Sequence, residues 1–214
     1  MLKLDSAPRA ETQSISPKLE RLGRSFFPRR LLIGLFAVVP AAFIVQPGNY
    51  FGEYQAVGIA TSLLLVIGGL GLRAWAASRA GDHTRTIHIE APALVTGGPY
   101  SMVRNPIYLG TIILGLGMVG LIGDPRMLFL CAITFAALYF GIIPAEEQFL
   151  RQKFGAEYIR YCFAVPRLLP RLQPWSEARV GRVNWEPARG ELYLALLLVA
   201  IYGFLRLAAW LRGF

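Results

Sequence analysis

Residues 97–110 read Gly97-Gly98-Pro99-Tyr100-Ser101-Met102-Val103-Arg104-Asn105-Pro106-Ile107-Tyr108-Leu109-Gly110. This stretch begins as a polar loop and ends as the first turn of an apolar segment. Asn105-Pro106 predicts a helix start, because Asn caps orphan backbone amides and Pro has no amide to lose in the first turn. Such a helix end carries partial positive charge and free N–H groups, so it suits an anion. Polar groups crowded at the mouth of hydrophobic helices predict a binding site at a membrane surface.

The composition is that of an integral membrane protein. The 214 residues are 55% hydrophobic and only 16% charged, with a mean hydropathy of +0.47, whereas a soluble domain carries about 25% charged residues. The net charge of +9 comes from Arg and Lys that lie mainly between apolar stretches, as the positive-inside rule expects. We therefore expect a lipid bilayer as a partner and no nucleic acid.

The hydropathy pattern predicts an all-α polytopic membrane protein with about five transmembrane helices. The turn Gly123-Asp124-Pro125-Arg126 should join the third and fourth as an antiparallel hairpin. The expected spans are 31–47, 56–75, 106–122, 127–143 and 191–210. The expected organisation is a basic interfacial arm over 1–30, two membrane spans over 31–75, a core with the hairpin over 76–170, and a linker with the last span over 171–214.

The charges of the connecting segments predict the orientation. Seven Lys/Arg precede residue 31, three lie in 76–105 and eight in 145–190, while 48–55 has none. The positive-inside rule then places the N-terminus and the two segments with unusual polar residues in the cytosol, and the C-terminus outside. A candidate site built from those segments should face the cytosol.

A second polar feature follows Pro144, where the fourth apolar helix is expected to end. Glu146 and Glu147 are adjacent carboxylates that are either solvated, paired with Arg151 on the next turn, or placed to bind a cationic ligand. In the first stretch, Arg104 and Tyr108 share a helix face, which suits either a binding site or a membrane-interface anchor. The residues alone leave these alternatives open.

Several of these pieces together resemble the superfamily of isoprenylcysteine carboxyl methyltransferases and phospholipid methyltransferases. The resemblance covers roughly 70–170. It rests on Leu72-Arg73-Ala74-Trp75-Ala76, Gly98-Pro99-Tyr100, Arg104-Asn105-Pro106-Ile107-Tyr108-Leu109-Gly110, Glu146-Glu147, Phe154-Gly155, Tyr158, Tyr161 and Val165-Pro166-Arg167. It implies an integral membrane enzyme that transfers a methyl group from S-adenosyl-L-methionine to a lipidic or prenylated acceptor. An isoprenylcysteine carboxylate is the acceptor that the resemblance favours.

The resemblance also implies roles for individual residues. Arg104, Glu147 and Arg167 are the implied catalytic residues, with the two arginines orienting an acidic head group. The implied cofactor-binding residues are Gly98, Tyr100, Asn105, Tyr108, Glu146, Glu147, Tyr158 and Tyr161. The tyrosine rings would lie near the sulfonium, since cations favour ring faces.

The chain departs from this pattern at two points. Many relatives carry His where this chain has Asn105, which cannot carry a proton, and many end near residue 170, before the fifth span. Membrane sterol reductases, which use NADPH, resemble the 158–167 pattern as well, so a reductase or a non-catalytic protein of the same fold stays an alternative. His83 and His88 lack further partners at metal-ligand spacing, and we expect no metal site.

Overall fold

The computed structural model describes residues 46, 48, 51–80, 93–179 and 183–213. The predicted arm 1–30, nearly all of the predicted span 31–47, and His83 and His88 lie outside the described residues. Within the described part all regular elements are helical, which confirms the all-α prediction there. The helices are α1 (Gln55–Ala80), α2 (Pro106–Ile122), α3 (Arg126–Ala137), α4 (Ile143–Phe154), α5 (Ala156–Ala164) and α6 (Arg189–Leu211), with 3₁₀ turns at Gly52–Tyr54 and Gly98–Ser101 and a π-helical turn at Leu138–Ile142.

Three helical stretches of the described part are long and apolar enough to cross a membrane: Gly52–Ala80, Arg126–Phe154 and Arg189–Leu211. Helix α2 is also apolar but has only 17 residues, fewer than the ~20 that cross a bilayer untilted. Its bounds are those predicted from the sequence.

The fourth predicted span does not end before the two carboxylates. Helix α3, the π-helical turn and α4 follow one another without a break from Arg126 to Phe154, so Glu146 lies inside the long helix. Pro144 cannot donate the backbone hydrogen bond of a regular helix, and the wider turn just before it accommodates that loss. This continuous helix ends at Gly155, whose φ of +52° lies in the left-handed region that Gly adopts without a Cβ penalty.

The predicted hairpin between α2 and the long helix is confirmed. Gly123 caps α2 with φ +70°, and the Asp124 carboxylate accepts the backbone N–H of Arg126 at 2.9 Å, as an N-cap does. Further along, a Cβ on Gly115 would lie 3.2 Å from the Phe135 ring. The two helices therefore run side by side after a short connection.

Glycines bring α1 and α2 into close contact. A Cβ built on Gly69 would lie 2.7 Å from the Gly110 carbonyl oxygen and 2.7 Å from the Leu114 backbone nitrogen. One on Gly117 would lie 2.7 Å from the Ser62 carbonyl oxygen. Small residues allow this approach between apolar helices, and α2, which carries the 105–108 turn, is thereby fixed against α1.

Helix α6 packs on the same pair. Its Leu205 is buried with Leu114, Met118 and Ile122 of α2. The C-terminal helix is thus an integral part of the described bundle.

We expect Gly69→Ala to destabilise the protein by about 1–3 kcal/mol, because the added methyl group overpacks a backbone contact. Gly68→Ala is the matched control, since a Cβ there meets nothing within 4 Å and Ala favours a helix interior. Thermal unfolding of both variants in the same detergent checks this, and equal midpoints would show that the α1–α2 contact is looser than described.

Candidate functional site

Backbone hydrogen bonds join the segment after α5, residues 166–175, to the segment before α2, residues 101–104. Arg104 donates its N–H to the Pro166 carbonyl at 2.9 Å, Arg171 donates to the Met102 carbonyl at 3.0 Å, and Trp175 donates to the Ser101 carbonyl at 3.0 Å. These bonds bring together residues that are more than 60 positions apart, and they place Arg167 beside the start of α2.

Glu147 is the centre of the polar cluster that results. Only 4% of its side chain is exposed, and it receives Arg167 Nη2 at 2.7 Å and Arg167 Nε at 3.1 Å. Arg104 Nη1 lies 3.6 Å from the other carboxylate oxygen, and Asn105 Nδ2 donates to that oxygen at 3.3 Å. The sequence predicted all four residues as site residues. The alternatives that Glu147 is solvated or paired with Arg151 are wrong.

Asn105 occupies the predicted N-cap position, but its side chain does not cap the helix. Its amide donates to Glu147 and, at 3.1 Å, to the carbonyl oxygen of Arg167. The predicted side-chain cap is therefore wrong. The side chain is oriented so that its Nδ2 donates to the buried carboxylate, because a buried charge needs hydrogen bonds more than the amides of the first turn need a cap. The helix start keeps Pro106 at its first position.

The second carboxylate has a separate partner. Tyr108 Oη donates to Glu146 Oε1 at 2.6 Å, which ties the first turn of α2 to α4. Glu146 is half-buried, whereas Glu147 is buried. Adjacent carboxylates thus have different surroundings, and Glu146 is the more accessible one.

Gly98 and Tyr100 belong to the 3₁₀ turn that precedes α2. Gly98 has φ +62°, and a Cβ there would lie 3.0 Å from the Arg79 side chain. The Tyr100 carbonyl accepts the Tyr161 hydroxyl at 2.7 Å. Burial raises the pKa of the Tyr100 phenol, and the negative charge of Glu146 adds to the shift. Tyr100 is therefore a neutral phenol at physiological pH.

Tyr158 and Tyr161 line the interior next to this turn. Both are about 2% exposed or less and pack with Leu94, Val165 and Trp175. The Tyr161 and Trp175 ring centroids are 5.7 Å apart. Burial raises the pKa of both phenols, and for Tyr158 the charge of Glu147 contributes too. The predicted residues are thus gathered in one region, but much of these two rings is taken up by packing.

The arginines differ in how open they are. A third of the Arg167 side chain is exposed, its guanidinium lies 5.6 Å from the Tyr139 ring centre, and hydrogen bonding to Glu147 raises its pKa. Arg104 is only 12% exposed, and its Nε is buried without a hydrogen-bond partner. A buried donor of that kind is costly unless a ligand or water satisfies it.

One ion pair near the site was not predicted from the sequence. Arg73 of α1 donates its Nε to Glu191 of α6 at 2.7 Å and its Nη1 to Thr111 of α2 at 2.5 Å. Charged residues within apolar helices rarely lack a partner, and that signal was present at both Arg73 and Glu191.

Comparison with known proteins assigns the family. A family model described as phospholipid methyltransferase matches residues 57–157. Protein-S-isoprenylcysteine O-methyltransferase B of Arabidopsis thaliana is 34% identical over 112 residues, which is 50% of this chain and 57% of that protein. Residues 57–157 of the chain belong to the superfamily of isoprenylcysteine carboxyl methyltransferases and phospholipid methyltransferases. The matched region contains Arg104, Asn105, Glu146 and Glu147.

Two bacterial relatives match over more of the chain. The cobalt-zinc-cadmium resistance protein CzcN of Cupriavidus metallidurans is 31% identical over 80% of this chain and 78% of its own length. The nickel-cobalt-cadmium resistance protein NccN of Alcaligenes xylosoxydans xylosoxydans is 28% identical over 88% of this chain and 90% of its own. No solved structure matches. The apolar helices and the family together indicate a membrane protein of a methyltransferase superfamily.

We expect Glu147→Gln to lower the free energy of unfolding by about 1.5–3 kcal/mol, because Arg104 and Arg167 lose a charged hydrogen-bond acceptor. Glu146→Gln is the control: the Gln carbonyl still accepts from Tyr108. Unfolding of the two variants in detergent measures the difference. An unchanged Glu147→Gln protein would mean that the cluster does not support the fold.

Proposed function

We propose that this protein is an S-adenosyl-L-methionine-dependent methyltransferase that acts on a lipidic or lipid-linked acceptor. The observation that carries the proposal is the buried cluster of Arg104, Asn105, Glu147 and Arg167, with the Tyr108–Glu146 pair beside it. The family assignment supports methyl transfer over the reductase alternative.

The carboxylates and guanidinium groups of the site fit the polar groups of S-adenosyl-L-methionine. That cofactor has an ammonium and ribose hydroxyls, which suit a carboxylate, and a carboxylate, which suits a guanidinium. Glu146 is the more accessible of the two carboxylates, and Arg104 has a buried Nε without a partner. When bound, the cofactor supplies an electrophilic methyl group.

The chain's own groups would then act by binding and orientation. Glu146 would hold the ammonium or ribose hydroxyls, with Tyr108 fixing the carboxylate through its hydroxyl. Arg104 would hold the cofactor carboxylate, near the amides of the Gly98–Ser101 turn. Glu147, whose oxygens are already bonded to two arginines and Asn105, would act as a positioning residue. Orientation of this kind is the main contribution an enzyme makes to an in-line transfer.

The open side of Arg167 favours a carboxylate acceptor. A third of its side chain is exposed while Glu147 neutralises its charge, so part of the guanidinium is available to orient an acidic head group. Transfer to a carboxylate forms an O–CH₃ bond, breaks the S–CH₃ bond and needs no general base. Among prenylated acceptors, an isoprenylcysteine carboxylate has this chemistry. Asn105, which cannot carry a proton, is compatible with it.

Calorimetry of the detergent-purified protein tests the cofactor. We expect S-adenosylhomocysteine to bind and NADPH not to bind, with Glu146→Gln weakening the affinity roughly tenfold or more through a lost charged hydrogen bond. Gln152→Glu, at an exposed position of α4, is a control that should leave affinity unchanged. Binding of NADPH instead would replace the proposal with a reductase. Transfer of a labelled methyl group to an isoprenylcysteine analogue, with a lipid amine as comparison, then tests the acceptor.

We further propose that the site faces the cytosol, because the basic segments around it are the ones retained inside. A cysteine at exposed Ser176 should resist an impermeant thiol reagent added to intact cells, and one appended after Phe214 should label. Both are made in a background with Cys131 and Cys162 changed to Ser. Labelling at Ser176 from outside would reverse the topology.

A further inference from the structure

Helix α5 and the segment after it expose large apolar side chains outside the spanning helices. Phe163 is 89% exposed, Leu169 81%, Leu172 96% and Ile159 45%. Surface hydrophobic residues are ordinary when scattered, but a concentration of this kind within 14 residues marks an interaction surface.

The apolar residues of α5 lie on one strip. Ile159 and Phe163 are four positions apart and share a face. The buried face of the helix carries Tyr158 and Tyr161. The exposed Glu157 and Arg160 pair with Arg179 at 3.0 Å and Glu177 at 3.7 Å. The helix therefore has a core face, a charged strip and a separate apolar strip.

The loop after α5 is held close to that helix. Arg171 Nη1 donates to the Ala164 carbonyl at 2.8 Å, and the Arg171 backbone N–H is bonded to Met102. Leu172 is adjacent to the anchored Arg171, and Leu169 lies two residues before it. Both exposed side chains therefore belong to a part of the loop whose backbone is held in place.

The charge and position of this segment identify its partner. Residues 151–172 contain five cationic side chains and one carboxylate. Arg151, Lys153 and Arg160 are exposed, with Arg160 lying 3.7 Å from Glu177, whereas Arg167 is neutralised by Glu147. Helix α5 begins two residues after the long apolar helix ends at Phe154. Apolar side chains flanked by cations, directly at the end of a spanning helix, match an interface between acyl chains and anionic head groups.

We propose that Ile159, Phe163, Leu169 and Leu172 form a membrane-insertion surface that seats α5 and its following loop in the head-group region of an anionic leaflet. Arg167 lies within this segment, so the depth at which the segment inserts determines the depth of the Arg104–Glu147–Arg167 cluster at the membrane surface. The proposal does not depend on which reaction the site performs.

Spin-label accessibility in lipid nanodiscs tests this surface. Single cysteines at Phe163 and Leu172, with Cys131 and Cys162 changed to Ser, should be severalfold more accessible to oxygen, which partitions into lipid, than to a water-soluble nickel chelate. Cysteines at Glu157 and Gln173, both exposed, are the controls and should show the opposite preference. Leu172, being almost fully exposed, tolerates substitution even if Phe163→Cys disturbs α5.

The outcomes show whether lipid, water or protein contacts this surface. Preferred access of the nickel chelate at Phe163 and Leu172 would show that water covers the surface and would overturn the proposal. Low access of both reagents would show that protein covers it, for example the arm 1–30, and would overturn it too. The oxygen preference should rise when phosphatidylglycerol replaces phosphatidylcholine and fall again at high salt; no response to either change would remove the anionic lipid from the proposal.

Discussion

The buried carboxylate of Glu147 is the constraint on which the site depends. A charged group that is almost fully removed from solvent needs both countercharge and hydrogen bonds. Glu147 obtains them from Arg104 and Asn105 at the start of α2 and from Arg167 in the segment after α5. Two distant parts of the chain therefore converge on α4. Backbone hydrogen bonds between the 166–175 loop and the 101–104 segment bring Arg167 to this carboxylate.

The continuous helix from Arg126 to Phe154 gives this constraint its position. Had the helix ended before Pro144, both carboxylates would lie in a flexible, solvated connection. Instead, the π-helical turn over Leu138–Ile142 lets the helix pass the proline, and α4 presents Glu147 to Arg104 while Glu146 meets Tyr108. One helix thus orders two adjacent carboxylates into different surroundings, one neutralised and buried, the other more open.

The sequence predicted the elements better than the contacts. The hydropathy pattern and the Asn105-Pro106 and Gly123 signals located α2 to the residue, because turn chemistry and apolar length act locally. The fourth helix continues beyond its predicted end at residue 143, because a π-helical turn accommodates Pro144 and the packing of Glu147 is a tertiary contact that the local pattern does not contain. The lost cap at Asn105 has the same cause. Which acceptor Asn105 chooses depends on a residue 42 positions away, and no local pattern contains it.

The Arg73–Glu191 pair is a second case in which a charge removed from solvent needs a partner, and this pair lies within the helical bundle. A buried ion pair adds little net stability compared with apolar packing, but removing one partner is costly, so it favours one arrangement of helices over others. Arg73 binds Glu191 of α6 and Thr111 of α2 at once, and Thr111 lies one turn after Tyr108. Slippage of α6 would leave Arg73 with an unmatched charge among apolar helices. The C-terminal helix therefore fixes the register of α1 against α2, and α2 carries that register to the turn where Asn105 and Tyr108 meet the two carboxylates.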